Sequence, residues 1–247
     1  MGQINVLEKV EMKKVSCICV TRNRRKFLEN SIECFINQSY VNKELVILYY
    51  SDDNETKGLA KKNNNTNVFF HEYDVSLGLT LGALRNKCVE LTSGDYICVW
   101  DDDDWYHPNR IIKQYCHLIN VDYSACFFKQ LVIYDYETDE MFLTKPREEG
   151  WEGSMMCEKK HVLKHGYGDK DKHEDTHLLI KLQEEDIVKS IHDPMMYVYF
   201  FHCKNTSSRK HLENIKEHSD KIDNITELKI RGYIKKNIEE YKLIKYA

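Results

Sequence analysis

Gly94-Asp-Tyr-Ile-Cys-Val-Trp-Asp-Asp-Asp-Asp104 is the stretch on which the reading of this chain turns. Tyr96 to Trp100 is apolar throughout and too short for a stable isolated helix, so it predicts a central strand buried on both faces of a sheet. Asp101 to Asp104 then stand at its carboxyl end. If the backbone stays extended, Asp101 and Asp103 point one way and Asp102 and Asp104 the other. Like charges about 6 to 7 Å apart repel by roughly 2 to 3 kcal/mol per pair at an effective dielectric near 20. A divalent cation reverses that sign, and hard ions such as Mg²⁺ and Mn²⁺ take carboxylate oxygens together with phosphate oxygens and water. Open α/β sheets bind ligands in the crevice beyond the carboxyl ends of their strands, which is where this acidic run falls. A solvated acidic turn before a helix is the plainer alternative.

Upstream, Val15-Ser-Cys-Ile-Cys-Val20 predicts another buried strand, ending in Thr21-Arg-Asn-Arg-Arg25. Phe27, Leu28, Ile32, Phe35 and Ile36 recur at helical spacing. Strands follow at Glu44 to Tyr50 and Asn67 to His71, separated by the polar cluster Ser51 to Glu55 and an Asn-rich segment. Leu81, Leu84, Cys88 and Leu91 mark a helix face closed by Ser93-Gly94, and Pro108 suits the first turn of a helix running through Leu118. From Ala125 to Thr144 two β-rich runs read as a hairpin or meander added to the same sheet. Helices are expected near Cys157 to His165 and Glu174 to Gln183, and a strand over Met195 to Phe201. Beyond Ser207 the Lys-, Glu- and Ile-rich chain predicts a C-terminal helical appendage. The alternation is that of an α/β domain with a mixed central sheet.

Composition narrows the classes. The 247 residues, 42% hydrophobic and 11% aromatic, suffice for a real core and exclude a disordered chain. The formal net charge of -4 offers no global positive field, so nucleic acid is not expected as a partner. No apolar stretch approaches the ~20 residues of a membrane-spanning helix. Met1 to Lys14 does not read as a secretory signal, which favours a cytoplasmic location, with peripheral membrane attachment through the C-terminal helices left open. Nine cysteines, an odd number with no Cys-x-x-Cys pair, predict reduced and largely buried thiols.

Three pieces in order resemble the nucleotide-binding half of the family 2 glycosyltransferases of GT-A fold: Val15 to Asn23, Gly82-Ala-Leu-Arg-Asn86, and Gly94 to Trp105 followed by Pro108. The similarity resumes at Gly166 to Asp175 and at His202-Cys-Lys-Asn-Thr206. It implies a GT-A-like, Rossmann-like domain over residues 1–206, with a nucleotide-sugar half (1–120), an acceptor half (121–206) and a helical extension over 207–247. The implied activity is metal-dependent, inverting glycosyl transfer from a nucleotide diphosphate sugar, UDP being the commonest carrier, to a hydroxyl of a glycan, lipid-linked or protein acceptor. Carried onto this sequence, the resemblance puts Asp103 and His202 on a Mn²⁺ or Mg²⁺ ion and Asp101, with Asp102 beside it, toward the ribose or metal waters. Thr21, Arg22 and Asn23 would line the base and ribose, and Arg85 the diphosphate, where a guanidinium matches phosphate oxygens. Asp175, paired with Glu174, becomes the base, its ionised form favoured in the first turn of a helix. The family's usual Asp pair at the end of the second strand is replaced here by Tyr49-Tyr50, so Asp52 or a stacking Tyr would take over base contact. Trp105 and Trp151 offer sugar-stacking faces and Glu152 a hydrogen-bonding partner for acceptor hydroxyls.

Two other readings compete. A nucleotide-sugar-binding protein without turnover would use the same residues apart from the base. His173-Glu-Asp-Thr-His177 also matches the zinc-peptidase pattern, in which two His one helical turn apart hold the ion. The charged loop before it, rather than an apolar helix turn, argues against that use.

Overall fold

A computed structural model describes residues 12–202 and 204–245. The reading of Met1 to Lys14 falls largely on residues 1–11, outside the described residues, as does Cys203.

The first half is a β-α alternation. Strand β1 (Val15–Thr21) leads to α1 (Arg25–Ile36), β2 (Lys43–Tyr50), α2 (Asn54–Lys62) and β3 (Val68–Tyr73). Helix α3 (Leu81–Leu91) and strand β4 (Tyr96–Val99) follow, then the two-residue β5 (Trp105–Tyr106) and α4 (Arg110–Val121). The second half holds β6 (Ala125–Cys126), the hairpin β7 (Val132–Asp135) and β8 (Glu140–Leu143), β9 (Met156–Glu158), α5 (Lys159–His165) and α6 (Glu174–Glu184). Strand β10 (Tyr197–Phe201), α7 (Arg209–Glu217), β11 (Asp220–Lys221) and α8 (Asn224–Lys245) complete it.

The main sheet has the order β3-β2-β1-β4-β9-β6, with β1 to β4 parallel and β9 antiparallel to both neighbours. The chain steps from β1 outward to β3 and then returns to the other side of β1 to form β4. That reversal opens a crevice between the carboxyl ends of β1 and β4, the place where such sheets take ligands. Strand alternation explains the two-sided burial. Cys17, Cys19, Leu45, Ile47 and Cys98 face a layer containing Leu28, Phe35 and Ile111, whereas Ile18, Val46, Leu48, Ile97 and Val99 face Leu84, Cys88 and Leu178. Six of the eight described cysteines are buried, and all eight are free thiols.

Several expectations are corrected. The 125–144 region does not simply extend the main sheet: β6 joins it, but β7 and β8 belong to a second sheet, β11-β8-β7-β10-β5. The register of β7 against β10 places Ile133 opposite Tyr199, and this long-range pairing is invisible in local pattern. Helix α2 lies where a polar connection was expected, its start fixed by the buried Asp53, whose carboxylate accepts from the Thr56 amide at 2.9 Å. Cys157 sits in β9, with α5 starting at Lys159, and Pro108 precedes α4, whose N-cap is Asn109.

The segment beyond Ser207 is packed onto the domain. Ile230, Ile234, Ile238 and Tyr241 of α8 are buried with Phe27, Trp105, Tyr134 and Phe200. No helix among the described residues is long and apolar enough to cross a membrane.

Candidate active site

A cavity of about 810 Å³ opens at the crevice between β1 and β4. Its walls include Thr21, Arg22, Arg24, Tyr50, Arg85, Asp101, Asp102 and Asp103 on the main-sheet side. Trp151, Glu152, Glu174 and Asp175 face them, and Tyr199, Asn205 and His211 line the side formed by the second sheet and α7.

The acidic run leaves strand geometry after Val99 and turns at Asp102 and Asp103. The expected alternation of faces is therefore lost, because a turn rotates successive side chains by other angles than a pleat does. Asp102 and Asp103 share one cation, Arg24 Nη1, at 3.1 and 2.8 Å, and Asp101 instead meets Arg85 Nη2 at 3.1 Å. Asp104 turns away from the cavity into the protein, where the Phe200 amide donates to it at 2.9 Å and the Tyr197 hydroxyl also donates.

These environments separate the four carboxyls. Burial and the neighbouring Asp103 push Asp102 up to about 7, with Arg24 and the Thr21 hydroxyl at 2.6 Å opposing. Burial likewise raises Asp101 and carries Asp104 well above the ordinary range. Asp103 goes the other way: burial works against its ionisation, but His202 and Arg24 outweigh it and hold the carboxyl low. The carboxyl of the run that its neighbours hold below the ordinary range is thus the one beside His202, whose Nε2 lies 3.2 Å from Asp103 Oδ2.

His202 is fixed from several directions. Its ring stacks on Phe27 at 4.6 Å, its Nδ1 accepts from the Lys204 amide at 3.1 Å, and its own amide donates to Asn205 Oδ1. Tyr241 of α8 donates its hydroxyl to the Asp103 carbonyl oxygen at 2.6 Å, so the C-terminal helix braces the same turn.

Across the cavity, Glu174 and Asp175 occupy the first turn of α6. Arg85 Nη1 lies 3.5 Å from Glu174 and 4.0 Å from Asp175, which makes this guanidinium the bridge between the acidic turn and the pair on α6. Burial raises the Glu174 carboxyl, with Arg85 pulling against it. Asp175 is the more open of the two, its side chain 26% exposed against 5%. The loop carrying them is clamped to α3: the Asn86 amide exchanges hydrogen bonds with both the carbonyl and the N–H of Tyr167, at 3.0 and 2.7 Å. Gly82 lets the backbones touch, since a Cβ there would lie 1.8 Å from the Gly168 carbonyl oxygen.

The structure thus gathers Thr21, Arg22, Arg85, Asp101, Asp102, Asp103, Trp151, Glu152, Glu174 and Asp175 around one space. His202 does not line it and stands buried behind Asp103. Three further expected residues fall outside it. Asn23 takes a left-handed turn at φ 53° before α1, its amide bound to Asp53 at 2.7 Å. Asp52 is engaged by Arg22 at 2.5 Å, and it is Tyr50, lying under the Arg22 guanidinium at 4.6 Å, that lines the cavity. Trp105 is 7% exposed and stacks on Tyr233 of α8, so it packs the core and does not present a face to an acceptor. Trp151 does line the cavity, with Arg147 4.8 Å above its ring and 3.5 Å from Glu152. Sequence reasoning missed Arg24; the signal was the basic cluster Arg22 to Arg25 at the end of β1, facing an acidic run at the end of β4.

The zinc-peptidase reading is overturned. His173 is the N-cap of α6 in a left-handed conformation, φ 60°, so it does not share a helical turn with His177, and the intervening Glu174 is held by Arg85. Among the described residues no group of three or more His, Cys, Asp or Glu is arranged to hold a metal by itself.

Residues 16–177 match the sequence model of glycosyl transferase family 2. An uncharacterized glycosyltransferase of Methanocaldococcus jannaschii is 32% identical over 110 residues, 43% of this chain and 37% of that protein. The matched stretches span 32 to 42% of the curated relatives' own lengths. Among solved structures, Staphylococcus aureus TarS 1-349 in complex with UDP-GlcNAc superposes with a TM-score of 0.65 at 12% identity, over 79% of this chain and 61% of that one. The mannosyltransferase PcManGT from Pyrobaculum calidifontis, in complex with GDP-Man and Mn²⁺, gives 0.58 at 13% identity, over 85% and 62%.

Proposed function

The chain belongs to glycosyl transferase family 2 and has the GT-A fold, and from that premise we propose that it transfers a sugar from a nucleoside diphosphate sugar to an acceptor hydroxyl, inverting the anomeric carbon. The observation that carries this reading is the single cavity that sets Asp101 to Asp103, Arg24 and Arg85 against Asp175. One wall can take a diphosphate; the other offers a carboxylate to a proton.

UDP is the carrier to test first, because TarS was solved with UDP-GlcNAc, and GDP the second, because PcManGT was solved with GDP-Man. Tyr50 and Arg22 line the base end of the cavity, where an aromatic face and a guanidinium suit a flat heterocycle.

Asp103 and His202 suit Mn²⁺ or Mg²⁺. A low-lying carboxylate and an imidazole 3.2 Å apart are donors of the kind that would hold such an ion. Bound there, the ion would supply positive charge against the negative charge that grows on the departing diphosphate. Arg24, which now shares Asp103, and Arg85 hold the phosphate oxygens. Asp175 accepts the acceptor's hydroxyl proton as its oxygen bonds to the anomeric carbon and the sugar–phosphate bond breaks, releasing the nucleoside diphosphate. Glu174 keeps Arg85 in place between the two walls. Trp151 and Glu152 border the space from which a glycan, lipid-linked or protein hydroxyl approaches.

Transfer from labelled UDP- and GDP-sugars with Mn²⁺ tests the reading. Asp175→Asn should lower turnover by about 10²–10⁴-fold while nucleotide affinity is kept. Full activity in that variant overturns the base assignment, and wild-type binding without turnover would favour a non-catalytic nucleotide-sugar binder.

A further inference from the structure

Arg110 is an energetic anomaly. It is fully buried at 0% exposure, in the first turn of α4, where the helix dipole disfavours a cation. Its Nε donates to Gln114 Oε1 at 3.2 Å, but Nη1 and Nη2 have no hydrogen-bond partner, and no ion pair joins it to a carboxylate among the described residues. Instead the guanidinium sits among three rings, 4.4 Å from the centroid of Tyr106, 5.2 Å from Trp100 and 5.3 Å from Tyr197. A charge buried in this way lowers stability relative to an apolar side chain of similar volume.

What the rings do explains what the charge is for. The Tyr106 hydroxyl accepts from the Asp101 amide at 2.8 Å, and the Tyr197 hydroxyl donates to Asp104. These two residues bracket Asp102 and Asp103. We propose that Arg110 is a positioning residue for the metal–diphosphate end of the cavity, fixing Tyr106 and Tyr197 by cation–π contact and, through their hydroxyls, the turn that presents Asp103. The cation acts from beneath the acidic run, opposite in sign and sealed from solvent, and it touches neither donor nor acceptor. The inference rests on the proposed nucleotide-sugar site.

The test compares Arg110→Met, which keeps an unbranched stem but removes the charged head, with Arg110→Lys and Tyr197→Phe, and reads two quantities on the full chain. The first is the melting temperature without metal or nucleotide. The second is the dissociation constant for the tighter of UDP and GDP in the presence of Mn²⁺, by calorimetry. Arg110→Met removes a buried charge but leaves a smaller side chain and takes away the hydrogen bond to Gln114 Oε1, so it should melt within about 6 °C of the wild type, yet bind Mn²⁺-nucleotide about tenfold or more weakly, the range seen when partners behind a metal ligand are lost. Arg110→Lys should recover most of the affinity. Tyr197→Phe should weaken binding in the same sense, and the double variant Arg110→Met with Tyr197→Phe should be no weaker than Arg110→Met alone.

Affinity within twofold of wild type in Arg110→Met, or losses that add in the double variant, overturns the inference and leaves the proposed function standing. If Arg110→Met does not fold, Tyr106→Phe and Tyr197→Phe decide, weakened binding supporting the inference and unchanged binding overturning it. A wild type that binds neither nucleotide with Mn²⁺ removes the proposed site and this inference together.

Discussion

Replacing Arg85 by Met puts a number on how the two walls of the cavity are held together. The guanidinium side chain is 11% exposed and meets three carboxylates, Asp101 at 3.1 Å, Glu174 at 3.5 Å and Asp175 at 4.0 Å. Each contact corresponds to about 4–5 kcal/mol of bare attraction at an effective dielectric near 20. Desolvation of the guanidinium and repulsion among the carboxylates offset most of this, so the expected net loss is the about 3–5 kcal/mol seen when one partner of a buried pair is removed. For a chain of this size that lowers the melting temperature by about 6–20 °C. The sign of the pH effect is fixed too. Burial already raises the Glu174 and Asp101 carboxyls, and losing the cation raises them further. An acid whose folded-state pKa lies above its unfolded value costs stability when ionised and stops costing it once protonated. The gap between variant and wild type should therefore narrow as pH falls from 8 to 5. Paired thermal melts across that range, without nucleotide, measure it. A gap below 2 °C at pH 8, or one that widens toward pH 5, refutes the account of Arg85 as the cation that makes this acidic space tolerable.

Other outcomes follow from single contacts. Glu44 is 3% exposed, and although burial opposes its ionisation, Lys14, Ser16 and Ser93 hold it down at about 2. This contributes about 3 kcal/mol above pH 4.5 that is lost as pH falls toward 2, and Glu44→Gln should flatten that acid limb in denaturant titrations. Gly82→Ala should cost about 1–3 kcal/mol and lower turnover more than donor affinity, because the added Cβ meets the Gly168 carbonyl and shifts the loop carrying Asp175; equal turnover would separate that loop from catalysis. Tyr241→Phe removes a hydrogen bond worth about 1 kcal/mol from the Asp103 carbonyl and should weaken Mn²⁺-dependent nucleotide binding measured by calorimetry.

Much of the first half was legible because its signals are local. Val15 to Val20, Glu44 to Tyr50 and Tyr96 to Trp100 are continuous apolar runs of the kind required by strands covered on both faces, and each is a strand within one or two residues. Helix α2 was missed since it buries little beyond Thr56 and owes its start to one carboxylate cap. The second sheet was merged with the first because β7 pairs with β10 some 60 residues later and β8 with β11, and no periodicity records those partners. Trp105 shows the same limit at the site: an aromatic beside an acidic motif suggests a platform, but α8 covers it.

By itself the sequence determined the alternation of buried strands and helices, and it placed an acidic run at the end of a central strand, because hydrophobic periodicity and charge are properties of neighbours along the chain. Tertiary structure alone decided how the four carboxylates divide their work. Asp103 faces His202 from residue 202, Asp101 faces Arg85, Asp102 shares Arg24, and Asp104 is withdrawn to Tyr197, each partner arriving from a distant segment. The ionisation of a buried group is set by the charges and dipoles packed within a few ångströms of it, and the fold, not the order of residues, brings those within reach.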